Sequence, residues 1–231
     1  MPVTATARNP HLATVSAPAS GLPTPAARHP VGQFHLGRRV DNRPESLATW
    51  RVTTSESQVA LAVADHFDAA PTESAPSPDG EIEILTAASA VRVVIAGSPS
   101  INADMRLWGR GQLVHHCDGV VFLSPPSTAG SACGCPRAMS DRKALAKSGR
   151  GPQPSVTVSF RLAQDPSRGM FRFQSPSWNF ATSLPAVRGA LDAIGGEALC
   201  DLAIQRVDVP IRGGASLAYR MPVLTVLGPW G

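Results

Sequence analysis

Three of the four cysteines and the only adjacent pair of histidines fall between Trp108 and Pro152, so any fold must either gather these groups or bury them apart. The stretch reads W-G-R-G-Q-L-V-H-H-C-D-G, then an apolar and Pro/Ser segment, then C-G-C-P and a basic run that ends at Pro152. Thiolates at C-x-C spacing beside a neutral imidazole suit a borderline-soft ion, zinc best of all. The candidate ligands are Cys117, Cys133, Cys135 and His116, with His115 as the alternative fourth. The spacing departs from paired C-x2–4-C knuckles, so three reduced, buried thiols without a metal stand as the competing reading. Catalysis fits less well. A zinc deaminase needs a glutamate two residues after its histidine and a later P-C-x-x-C, whereas Cys117 and Asp118 follow His115 and His116 here and the later pair is C-G-C. Cys117 beside two histidines has the residue types of a thiol nucleophile and its base, yet sequence neighbours on one strand or helix do not face each other.

The 22 prolines and 20 glycines among 231 residues limit regular elements to short lengths, while 43% apolar residues suffice for a core. Arg137, Arg142, Lys143, Lys147 and Arg150 oppose Asp141 alone between Cys133 and Gly151, an excess equal to the +4 of the whole chain. Such a run reads either as a solvated loop or as a surface for an acidic partner, phosphate or protein. No stretch approaches the ~20 apolar residues that span a bilayer. No basic start followed by an apolar run marks a secretory signal, and four cysteines, one of them the remote Cys200, suit a reducing cytoplasm.

Residues 1–30 are rich in Ala, Thr, Ser and Pro without an acidic residue, a composition that reads as a disordered tail. A single globular domain is expected over 31–231. Gly32–Gly37 alternates, Arg38–Pro44 reads as a basic turn, and Leu47–Thr53 as a strand. Val59, Leu61, Val63 and Phe67 then recur at helical spacing until Pro71, and Thr72–Gly80 reads as a linker. Glu81–Thr86 and Val91–Ala96 are expected to pair as a hairpin, as are Ser155–Leu162 and Met170–Ser175, with Trp178 and Phe180 packed beneath. Leu184–Ile194 reads as a helix with Pro185 in its first turn and Gly195-Gly196 past its end. Strands at Leu199–Val207 and Tyr219–Val226 complete the pattern. The fold class is α+β, a mostly antiparallel sheet with two or three short helices and a cysteine-containing, zinc-stabilised loop region. No phosphate-binding glycine loop, His-Glu-x-x-His or nucleophile elbow occurs.

Several segments, taken together and in order, resemble one family. These are G-Q-F-H-L-G-R-R-V-D-N-R-P-E-S-L-A-T-W-R-V-T-T at Gly32–Thr54, E-I-E-I-L-T at Glu81–Thr86, M-R-L-W-G-R-G at Met105–Gly111 ahead of C-D-G, then C-G-C-P, and P-S-V-T-V-S-F at Pro154–Phe160. They resemble the recombination directionality factors of actinobacterial phages that use large serine integrases, over about Gly32–Leu227. The resemblance implies a non-enzymatic protein that binds its phage's integrase in the bacterial cytoplasm. It also implies a switch of that integrase from integration, attP with attB, to excision, attL with attR, with DNA met only through the integrase. Members of that family carry a cysteine where Leu113 stands, arginines where His115 and His116 stand, and a cysteine near Pro152, so a histidine would replace a missing thiolate here. The alternative is a basic, metal-stabilised DNA-binding phage regulator, which the run from Arg137 to Arg150 suggests. Arginines favour interfaces, which makes Arg38, Arg39 and Arg43, with Arg137, Arg142 and Lys143, the candidate partner-binding residues.

Overall fold

The computed structural model describes residues 29–41, 43–73, 81–210 and 216–231. The expected tail over 1–30 therefore lies almost wholly outside the described residues, as does the linker beyond Glu73. The chain runs β1 (Gly32–Val40), β2 (Arg43–Thr54), α1 (Ser57–His66), β3 (Pro71–Glu73), β4 (Ile82–Leu85), β5 (Ala90–Ile95) and β6 (Ile101–Gly109). It continues with β7 (Gln112–Cys117), β8 (Phe122–Ser124), α2 (Met139–Lys147), β9 (Gln153–Leu162), β10 (Phe171–Ser175), α3 (Trp178–Ile194), β11 (Ala198–Pro210) and β12 (Ser216–Pro229). The strands form one sheet in the order β12-β11-β5-β9-β10-β1-β2-β4-β3, and β6 joins it along β9 and carries β7 and β8 outward. Every described ladder is antiparallel except that of β1 with β10. The architecture is thus α+β, with a mostly antiparallel sheet and three α-helices among the described residues.

Alternation sorts the side chains. Phe34, Val52, Val156, Val158, Phe160, Phe171 and Phe173 point to one face and are wholly buried, because successive residues of a strand face opposite sides. Onto that face pack Val59 and Val63 of α1 and Phe180, Leu184, Val187 and Leu191 of α3, the last four at the spacing of one helical stripe. Trp50 sits at the centre, edge-on to Phe34 (centroids 5.8 Å apart) and to Phe173 (5.2 Å). The Ser177 hydroxyl starts α3 by accepting the Phe180 N–H at 3.3 Å, and Gly195, at φ 69°, ends it in the left-handed conformation glycine tolerates.

Five expectations are corrected. The basic turn over Arg38–Pro44 is the tip of the β1–β2 hairpin; Arg38 to Val40 lie in β1, and the Arg38 guanidinium meets Glu45 across the ladder at 2.7 Å. β4 and β5 do not pair with each other: β4 joins β2 and β3, while the more apolar β5 is buried between β11 and β9. Thr72 and Glu73 belong to β3 rather than to a linker. The basic run contains α2, built from helix formers with Asp141 in its first turn and Lys147 in its last, both favourable to the helix dipole. α3 begins at Trp178, which leaves Pro185 inside the helix instead of in its first turn.

The opposite face of the sheet is polar. His35 lies there with its Nε2 2.9 Å from the Thr53 hydroxyl, and burial, then the Arg51 and Arg172 guanidinium groups, push its pKa down to about 4. An unfolded chain takes up this proton below its ordinary value of about 6.5, whereas the folded protein refuses it until about pH 4. Stability from this group is therefore complete above pH 6.5 and is lost as pH falls through that window, by about 2–3 kcal/mol. His35→Gln is expected to flatten this loss, read as urea midpoints at pH 7 and pH 4.5.

Candidate metal centre

The β6–β7 hairpin brings the first two donors into place. His115 and Cys117 are two residues apart on β7, so both face the same side, where Met105 of β6 and Phe122 line a small apolar cluster. The ring of His115 stacks obliquely on Phe122, 4.8 Å between centroids. Cys117 is fully buried. The other two donors return on the loop before α2: Phe122 N–H donates to Ser131 O at 2.8 Å and Cys133 N–H to Val120 O at 3.0 Å, which stitches the Cys133-Gly134-Cys135 segment against the end of β7. Trp178, at the start of α3, covers this cluster from the main core rather than lying beneath β10.

The donor atoms of His115, Cys117, Cys133 and Cys135 all lie within 4.8 Å of one another. The Sγ atoms of Cys117 and Cys135 are 3.7 Å apart, and His115 Nε2 is 3.1 Å from the first and 3.5 Å from the second. A tetrahedral ion with metal–sulfur bonds of about 2.3 Å and metal–nitrogen bonds of about 2.0–2.1 Å has S–S edges near 3.8 Å and N–S edges near 3.5 Å. The three edges among Cys117, Cys135 and His115 come within about 0.4 Å of these values, and all four cysteines are free thiols. His116, the fourth ligand the sequence favours, points the other way. Its Nδ1 lies 2.9 Å from the Ser124 hydroxyl and its Nε2 2.9 Å from the buried carboxylate of Asp104, which also accepts from Arg106 at 3.0 Å.

Burial drives the electrostatics. It pushes the Cys117 thiol well above its ordinary value, opposed by the Gly119 N–H that donates to Cys117 Sγ at 3.3 Å. It raises Cys135 as well and lowers His115, to which the neighbouring His116 adds. A buried thiol held in its protonated form is a poor nucleophile, whereas a cation among these groups would favour both the thiolates and the neutral imidazole. The support around the donors is specific. Arg142 of α2 donates from Nε to Pro136 O at 2.5 Å and from a terminal nitrogen to Gly119 O at 2.8 Å, clamping both cysteine loops to the helix. A Cβ at Gly119, whose φ is 94°, would press on that guanidinium and force it to shift, and the left-handed backbone itself favours glycine.

A family model described as Gp3-like, recombination directionality factor-like, matches residues 31–226. The chain belongs to that family. No solved structure matches it. The matched span includes all four clustered donors of this directionality factor-like chain. Of its six candidate partner-binding residues, Arg38 and Arg39 lie on β1 and Arg43 on β2, whereas Arg142 and Lys143 lie on α2 and Arg137 just before it. Arg38 is paired with Glu45, and Arg142 is committed to the cysteine loops. Sequence reasoning missed the clamp by Arg142 and the His116–Asp104–Arg106 network. Strand alternation was the available signal for the second, since it separates His115 from His116. Among the described residues no helix is long and apolar enough to cross a membrane.

Proposed function

We propose that this protein is a recombination directionality factor that binds the large serine integrase of its own phage and redirects it from integration to excision, without chemistry of its own. The family match over residues 31–226 carries this reading. An integrase with two arrangements of similar energy needs only a partner that prefers one of them, and a differential affinity of ~3–5 kcal/mol changes the favoured reaction by orders of magnitude. Such a factor needs a rigid docking body rather than an active site. The burial of Cys117 away from any substrate accords with that role. Zinc is the ion that three thiolates and one imidazole suit best; its place here is structural, fixing the loop before α2 to β7 and β8 at the margin of the sheet.

The reading is tested by adding the purified protein to attP and attB DNA with that integrase. Integration falls steeply if the reading holds and is unchanged if it is wrong. A second reading has one observation in its favour: Lys143 and Lys147 stand exposed one turn apart on α2. Direct DNA binding through them would weaken sharply with salt and vanish in the Lys143→Ala/Lys147→Ala double variant.

A further inference from the structure

The ladder between β11 and β5 ends at Ala203, opposite Ala90, yet β11 and β12 stay paired beyond it, from Ile204 with Pro222 to Pro210 with Ser216. Over this length of about 20 Å no third strand joins their ladder among the described residues. Alternation gives the ribbon two unlike faces. Arg206 with Arg220 and Asp208 with Ala218 form one; Val207 with Tyr219 and Val209 with Leu217 form the other. The apolar face is open to solvent: Leu217 is 59% exposed, Val209 39% and Tyr219 37%. A two-stranded ribbon is marginally stable by itself in water, and this one is held near its root. The Asn179 side-chain amide of α3 donates to the Tyr219 hydroxyl at 3.1 Å, and the Arg220 guanidinium donates to Ser46 O of β2 at 3.3 Å. The second bond sets the β1–β2 hairpin beside the ribbon. That hairpin carries Arg38, Arg39 and Arg43 around the exposed Val40. Residues 38–46 and 204–222 together hold six arginines, three carboxylates and no lysine, so these two short segments carry most of the positive excess of the chain.

From this juxtaposition we infer that the two neighbouring hairpins form the docking surface for the integrase. An apolar patch of that partner packs on Val207, Val209, Leu217 and Tyr219, and acidic side chains bordering the patch meet the arginines. The inference rests on the function proposed above. Charge and area select the occupant. A second copy of the chain would set one basic surface against another. Two ribbons meeting face to face would also cover on the order of a few hundred Å² on each, well under the ~800 Å² per partner of a stable interface. Nucleic acid would match the positive charge but leave four apolar side chains without a partner, and it would meet the carboxylates of Asp41, Glu45 and Asp208. An apolar patch with an acidic border on a protein answers both features at once.

The test measures binding of the full-length protein to the purified integrase by biolayer interferometry. It compares wild type, the Val209→Thr/Leu217→Thr double variant, Arg43→Glu and, as a control on α2, Lys143→Ala/Lys147→Ala. Threonine keeps the strand propensity of the ribbon while removing apolar surface, and melting temperatures confirm folding. The inference predicts that the double variant and Arg43→Glu each weaken binding about tenfold or more, while the α2 control does not. Wild-type affinity in either hairpin variant overturns the docking surface and leaves the directionality reading standing. Absence of binding by the wild type overturns both. Light scattering is expected to give the 24.1 kDa of a single chain; a wild-type dimer that the double variant dissolves overturns the integrase as occupant in favour of a second copy. Loss of affinity for naked attachment-site DNA in Arg43→Glu, with integrase binding unchanged, overturns the protein partner in favour of phosphate.

Discussion

Replacing Cys117 with serine is expected to lower zinc affinity by several orders of magnitude and to open the β7–β8–α2 region without unfolding the main core. Cys117 is the most deeply buried of the four donors, holds the Gly119 N–H, and stands within 3.7 Å of both Cys135 and His115. A structural zinc site of this type contributes on the order of 10 kcal/mol to the state that binds it, and a hydroxyl is a poor substitute for one of three thiolates. The aromatic core around Phe34 and Trp50 shares no side chain with the donor cluster, so the loss is local. Hydrogen exchange reads it as faster exchange over 112–147 and unchanged exchange in β9 and β10. Chelator treatment of the wild type gives the same pattern. His115→Ala follows Cys117→Ser in losing zinc, measured by plasma mass spectrometry of the purified protein. His116→Ala retains the metal and costs about 1–3 kcal/mol through the lost hydrogen bonds to the buried Asp104 carboxylate and to Ser124, Asp104 keeping its Arg106 partner. A protein purified without zinc, with the same melting temperature in chelator, has a thiol cluster and no metal centre.

Trp50→Ala is expected to cost about 3–5 kcal/mol, a large share of the ~5–15 kcal/mol that holds a domain folded. The indole is wholly buried and meets Phe34 and Phe173 edge-on, so truncation leaves a cavity in the rigid middle of the sheet and removes two aromatic pairs. Its Nε1–H finds no acceptor among the described residues. Trp50→Phe therefore removes an unsatisfied donor while keeping a ring in place, and its cost is expected to stay below about 1.5 kcal/mol. Urea unfolding followed by far-UV circular dichroism separates the two: the midpoint of Trp50→Ala falls steeply and that of Trp50→Phe moves little.

What could be read in advance follows from the range of the interactions involved. The β9–β10 hairpin was legible because the alternation of Val156, Val158 and Phe160 is local, and the end of α3 because Gly195 must take a left-handed backbone. The convergence of Cys117 with Cys133 and Cys135 followed from residue chemistry. The partner of β5 was not legible: an apolar strand fits several neighbours, and β9 and β11, far along the chain, bury it better than the adjacent β4. α2 was hidden because charge dominates its composition, although those residues form helices well. The choice between His115 and His116 required knowing that the segment is a strand, after which parity alone decides it. Arg142 looked like a partner-binding cation; only the fold reveals the carbonyl oxygens of Pro136 and Gly119 converging on it.

The most direct measurement of the central claim is recombination in vitro between attL and attR DNA by the serine integrase of the same phage, with and without this protein. The account predicts that excision product accumulates only when the protein is present. Equal excision with and without the protein would contradict the account.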